Sequence, residues 1–196
     1  MRISALLKLS PARQRNCLRY WFTQQALLLP SQPQLQQILA LLHSKSDARP
    51  YVSWGSAHVR RYRDRLYCFA RSFEPIVFSS PIQWNLQRVL TLPHGQLNVE
   101  RRMGQGLVCQ RIDTSAITVR LRRGGERFHP QGRVGSHPLK KLFQEWGVPP
   151  WERDRVPLIF HKETLVAVPN YGIDTQFAAQ ADELGYWIQS ISVPPT

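Results

Sequence analysis

The feature that most constrains this chain is a change of hydrophobic period near residue 50. Up to that point apolar residues recur every three to four positions, as on one face of a helix. From Tyr51 onward they follow the shorter spacing of strands. A chain that switches period in this way folds as a helical part followed by a sheet-containing part, which predicts an α+β protein. Its 196 residues allow one domain or two small ones.

The first part contains two helix signals. Ser10-Pro11 combines a capping hydroxyl with a proline at the first helical position, where its missing N–H costs nothing. Cys17, Leu18, Trp21 and Phe22 then share one face. Ser31 opens a second helix carrying Leu35, Ile38, Leu39 and Leu42. Next, Ala57–Phe69 reads as a hairpin turning at Arg63-Asp64-Arg65, and the proline-bearing stretch Arg71–Pro81 reads as a linker. The expected boundaries are therefore 1–75 for a small, mostly helical domain with a β-hairpin and 82–196 for a mixed α+β domain. In the latter, strands are expected at Gln87–Leu92, Leu97–Arg101, Ala116–Arg122, Leu158–His161, Leu165–Val168 and Tyr186–Ile191. One helix is expected at Pro138–Trp146, stopped by Gly147. The tail Ser192–Thr196 is expected to be loose.

Composition matters chiefly through charge. Apolar residues make up 42% and charged residues 20%, enough to build a packed core. Lys and Arg number 26 against 13 Asp and Glu, a formal net charge of +13, and no acidic residue precedes Asp47. A surplus of that size suits a polyanion, either nucleic acid or an anionic membrane face. No stretch is apolar enough to span a bilayer, and Met1–Leu9 is interrupted by Lys8 and followed by Pro11 without a cleavage site, so neither a membrane segment nor a signal peptide is expected. Three cysteines without a C-x-x-C pair favour a reducing, cytoplasmic setting and supply no metal framework.

The densest basic segment is Leu97–Arg155, with twelve basic and six acidic residues, most of the basic ones arginine. The planar guanidinium fork suits bidentate contact with phosphate. Within it, Arg122-Arg123-Gly124-Gly125-Glu126 leads to Gly132-Arg133-Val134-Gly135-Ser136. Paired glycines either expose backbone N–H groups to a phosphate or simply make a turn with Glu126 bridging an arginine. No Gly-Lys-Ser/Thr completes a Walker loop, and no metal or nucleophile motif is present.

Two longer segments carry a resemblance. RRGGERFHPQGRVGSHPLKKLFQEWGVPPWERDRVPLIF (Arg122–Phe160) with LVAVPNYGID (Leu165–Asp174) resembles the C-terminal domain of bacterial tRNA(Ile)-lysidine synthetases. LSPARQRNCLRYWF (Leu9–Phe22) and VRRYRDRLYCF (Val59–Phe69) resemble that family's middle, substrate-binding domain. The resemblance implies a ligase that uses ATP and Mg to adenylate the wobble cytidine of an isoleucine tRNA with a CAU anticodon, whereupon lysine displaces AMP. That chemistry belongs to an N-terminal ATP-pyrophosphatase domain with a Ser-Gly-Gly-x-Asp-Ser loop, which this sequence lacks. The chain is thus expected to be a C-terminal portion that needs no cofactor of its own and is catalytically inactive alone; whether it is an expressed fragment or a truncated gene product stays open, as does a homodimer.

The expected role is tRNA recognition, by shape and backbone. The expected RNA contacts are Arg122, Arg123, Arg127, Arg133, Lys140 and Lys141, with Arg60, Arg61 and Arg63 in the hairpin, while Gly124 and Gly125 shape the loop. The alternatives are a stand-alone basic RNA-binding protein and, from another class, a metal-dependent nuclease using Glu126 and Asp154. The last is disfavoured because no acidic cluster suited to Mg²⁺ is visible.

Overall fold

The computed structural model describes residues 1–44, 51–70, 80–93 and 95–192. Its chain divides into two compact units, Met1–Glu74 and a second beginning at Pro75. Most of the expected linker and tail, and the acid at Asp47, lie outside the described residues.

The first unit is built from α1 (Ile3–Leu6), α2 (Pro11–Gln24) and α3 (Gln32–Leu41), followed by β1 (Tyr51–Trp54), β2 (Ala57–Tyr62) and β3 (Arg65–Phe69). Pro11 occupies the first helical position of α2, after Ser10 in extended conformation. At the start of α3, the Ser31 N–H and hydroxyl both donate to Gln34 Oε1 at 2.8 Å, within a capping box. The three strands form an antiparallel sheet in the order β1-β2-β3. The hairpin turns over two residues, since Tyr62 pairs with Arg65 and Arg63 takes a φ of 51°. Asp64 at its tip is tied to α1: its carboxylate accepts the Ser4 N–H at 2.8 Å and hydroxyl at 2.6 Å, and its carbonyl accepts the Ile3 N–H at 2.9 Å.

Helices and sheet meet in one apolar core. Leu18 and Phe22 of α2, one turn apart, are fully buried with Leu35 and Ile38 of α3 and Val59 of the sheet. Phe22 meets Trp54 edge-on at 5.1 Å. Each such side chain contributes about 1.5–3 kcal/mol through apolar burial, so this face, rather than helix propensity, holds the short helices in place.

The second unit contains β4 (Ile82–Gln83), β5 (Leu90–Leu92), β6 (Gly95–Met103), β7 (Leu107–Val108), β8 (Ile117–Arg120), β9 (Arg127–Phe128), β10 (His137–Pro138), α4 (Leu139–Glu145), α5 (Pro150–Arg153), β11 (Leu158–His161), β12 (Thr164–Val168), β13 (Gly172–Ile173) and β14 (Leu184–Ser192). They make a five-stranded sheet β13-β12-β11-β8-β4, a four-stranded sheet β5-β6-β14-β7 and the two-stranded ribbon β10-β9. Both larger sheets contribute to one core, while α4 packs Leu139, Leu142 and Phe143 into a second with Phe128 and Leu158. Glycine is required where the Gly104–Gly106 loop crosses β14. A Cβ at Gly106 would stand 2.1 Å from the Tyr186 carbonyl oxygen, and one at Gly185 would stand 2.1 Å from that of Gln105.

Two strands are shorter than the sequence predicts. The first begins at Leu90 instead of Gln87, because the Trp84 indole donates to the Arg88 carbonyl at 2.8 Å and Leu86 turns with a φ of 56°. The other spans Ile117–Arg120, because Thr114–Ala116 forms a 3₁₀ turn capped by Asp113 and the pairing with β11 ends at Arg120.

Candidate functional site

The basic segment is organised around the turn after β8. Arg120 is fixed first: its guanidinium grips Glu163 with two bonds of 2.8 and 2.9 Å and lies over the Phe160 ring at 4.6 Å. Hydrogen bonds from Arg120 hold the Glu163 carboxyl below its ordinary range. Arg122 is fixed next. Its Nη1 donates to Asp154 at 3.2 Å and its Nε faces Glu126 across 3.6 Å, with only 19% of the side chain exposed.

Glu126 organises the turn from within. Its Oε1 accepts the backbone N–H groups of Arg123 and Gly124, while Gly124 and Gly125 take φ values of 97° and 86°. Two of the N–H groups that a phosphate nest would offer, those of Arg123 and Gly124, are therefore already taken by this carboxylate, which favours the turn reading of the paired glycines. Glu126 and Asp154 both serve Arg122, which stands between them as their counter-ion. This is the opposite of an empty acidic pair awaiting a divalent cation. Among the described residues no group of three or more His, Cys, Asp or Glu side chains is placed to hold a metal.

A second loop lies beside the turn. The Glu126 carbonyl accepts the Leu139 N–H at 2.8 Å, and β9 pairs with β10 so that Arg127 stands opposite Pro138. Turn, ribbon and the start of α4 are thus one continuous surface. Between β9 and β10, residues 131–136 are exposed throughout, with Val134 at 95%. Side chains on both sides hold this loop in shape. The Nε2–H of His129 donates to the Arg133 carbonyl at 2.9 Å and that of His137 to the Val134 carbonyl at 3.0 Å. Arg127 donates to the Ser136 carbonyl, and Arg133 pairs with Glu145.

The six cations expected in this segment consequently divide into two groups. Arg122 and Arg133 are ion-paired. Arg123, Arg127, Lys140 and Lys141 are exposed, and among the described residues no carboxylate lies within ion-pair distance of them. Their backbone segments are joined by the contacts just described.

The hairpin arginines lie in the first unit and differ among themselves. Arg61 Nη1 donates to the Leu41 and Leu42 carbonyls at 2.8 and 2.7 Å, closing the C-terminal end of α3. Arg60 lies over the Tyr51 ring at 5.8 Å and Arg63 over Tyr62 at 5.5 Å. The helix-closing role of Arg61 escapes sequence reasoning, because it depends on how α3 packs on the sheet. The one available signal is the absence of any basic residue in the last turn of α3 itself.

Comparison with known proteins follows the same two-part division. Residues 1–67 match the family model described as "TilS substrate binding domain", and residues 117–191 match "TilS substrate C-terminal domain". A tRNA(Ile)-lysidine synthase from Coxiella burnetii is 41% identical over 192 residues, which is 96% of this chain and 42% of that protein. One from Alkalilimnicola ehrlichii is 36% identical over 179 residues, covering 91% of this chain and 40% of that protein. The chain thus spans about two fifths of the length of these relatives. A crystal structure of a TilS C-terminal domain is 26% identical, with a TM-score of 0.41 over 54% of this chain and 92% of that one. The chain belongs to the tRNA(Ile)-lysidine synthase family, matching that family's substrate-binding and C-terminal domains.

Proposed function

We propose that this chain is the tRNA-recognition portion of a tRNA(Ile)-lysidine synthase. It holds the CAU-anticodon isoleucine tRNA while an ATP- and Mg-dependent catalytic domain ligates lysine to the wobble cytidine, and it performs no chemical step itself. The observation that carries this reading is the set of four exposed cations, Arg123, Arg127, Lys140 and Lys141, on adjoining backbone segments of one unit. A-form RNA presents phosphates and a wide, shallow groove, so a rigid cationic surface recognises it by backbone and shape. Arg122, Arg133, Gly124 and Gly125 set the conformation of the segments that present those cations. In the first unit, Arg60 and Arg63 are the corresponding contacts, and Arg61 anchors the hairpin to α3.

The test is competition binding. The isoleucine tRNA, other tRNAs and a structured RNA of equal length are titrated against the chain at fixed salt. Preference for whole tRNA over the unrelated RNA is the expected result. Equal affinity for every RNA contradicts the reading and describes a general RNA-binding protein. Cleavage of labelled tRNA in Mg²⁺ would contradict the absence of chemistry.

A further inference from the structure

The second unit holds an open cleft of about 720 Å³ that is lined by none of the four exposed cations Arg123, Arg127, Lys140 and Lys141. One wall comes from the end of β12, the following turn and β13, the other from residues 186–189 of β14. The volume lies in the range of about 300–1,000 Å³ typical of sites for organic ligands. Its lining is distinctive in three respects. Four aromatic residues contribute, Trp146, Tyr171, Tyr186 and Trp187. Gln131 and Gln189 also line it, and their side-chain amides have no hydrogen-bond partner among the described residues. Among the described residues that line it, Arg133 alone is charged.

The walls are braced. Trp146 stacks on Tyr171 at 5.4 Å with their planes 20° apart. The Arg102 guanidinium covers Trp187 at 3.4 Å from its ring centre and is itself held by Glu100 at 2.7 Å. Asn170 ties the turn to β14, donating to the Ser190 carbonyl at 2.7 Å and accepting its N–H at 3.1 Å. Arg133 is held by Glu145, yet 41% of its side chain stays exposed.

Aromatic walls offer π-faces, free amides offer a donor and an acceptor together, and the single cation offers a phosphate contact. Those are the needs of one heterocyclic base with its phosphate. A duplex cannot satisfy them, because its base faces are stacked on one another and its edges are paired. We infer that the cleft receives an unpaired nucleotide of the bound RNA, its base against the aromatic wall and its phosphate at Arg133. This inference rests on the RNA-binding reading but concerns a separate surface, so the two can fail independently.

The experiment follows backbone and indole N–H resonances of the 196-residue chain while single-stranded hexa-adenylate, and separately a blunt twelve-base-pair RNA duplex, is added. Saturable shifts at Gln131, Gln189 and the Trp187 indole are expected with hexa-adenylate and not with the duplex. Gln189→Leu and Trp187→Leu should weaken hexa-adenylate at least tenfold, and Trp187→Phe, which keeps a ring, should bind it within a few-fold of the original. The inference is overturned if the duplex gives the same shifts, if hexa-adenylate shifts only Arg123, Arg127, Lys140 and Lys141, or if both leucine variants bind it unchanged. Hexa-adenylate filling the cleft of a chain that shows no tRNA preference supports the cleft and removes the proposed function. A silent cleft in a chain that prefers tRNA does the reverse.

Discussion

Arg122 and Asp154, 32 positions apart, are joined by a 3.2 Å hydrogen bond that ties the glycine turn to the end of α5. On its other side Arg122 faces Glu126, whose Oε2 is buried and has no hydrogen-bond partner among the described residues. Arg122→Ala leaves that oxygen facing no charge, at a cost of about 1–3 kcal/mol. Arg123→Ala, on an exposed side chain with no ion pair among the described residues, should change stability by less than about 0.5 kcal/mol. Urea denaturation of the two variants checks this: equal losses would place both arginines in the same role.

Gly124 and Gly125 have open space where a Cβ would project, so alanine there meets only a backbone penalty. With φ values of 97° and 86°, each substitution should cost about 1–2 kcal/mol. Thermal unfolding measures that cost. The tRNA affinity of Gly124→Ala should fall only as far as the turn relaxes, since both N–H groups bound by Glu126 stay in place.

Arg61 substitutes for the missing basic residue at the end of α3. Removing it leaves two terminal carbonyls without their charged donor, and Arg61→Ala should destabilise the first unit by about 1–3 kcal/mol. Arg61→Lys keeps the charge near the helix end and should recover part of the loss. Calorimetry of both variants reads the difference; an unchanged melting curve for Arg61→Ala would release Arg61 for direct RNA contact.

Asp64 gives the first unit a defined acid response. Hydrogen bonds from Ser4 hold its carboxyl below the ordinary value. The folded form therefore binds fewer protons than the unfolded one, and the stabilisation is present above about pH 4, the unfolded value. It is lost as pH falls through the folded value. The stability difference between the original chain and Asp64→Asn should be constant near neutrality and shrink below pH 4. A difference that grows on acidification would contradict the Ser4–Asp64 contact.

The parts legible in the sequence are those with local chemistry. Ser10-Pro11 and Ser31 mark true helix starts, and the stripe Leu139, Leu142, Phe143 with Gly147 marks α4, which spans Leu139–Glu145. The hidden parts depend on contacts distant in sequence. Two-residue strands such as β4, β9 and β13 carry no period to read.

The same limit applies to the site. Charge density marks Leu97–Arg155 as the densest basic segment but cannot separate Arg122, held by acids 4 and 32 positions away, from Arg123, which has no carboxylate within ion-pair distance among the described residues. Trp187 reads as another core aromatic until Arg102 on the neighbouring strand and the opposite wall of the cleft are in place.

The most direct test of the central claim is the salt dependence of tRNA binding. If Arg123, Arg127, Lys140 and Lys141 each neutralise a phosphate, these four should contribute about −3 to the slope of log K against log salt, using roughly 0.7–0.9 per contact. The Arg123→Ala, Lys140→Ala, Lys141→Ala triple variant should lose about two units of that slope while its melting temperature barely moves. A slope identical in the two proteins would show that the tRNA is held elsewhere, and the account of this surface would be wrong.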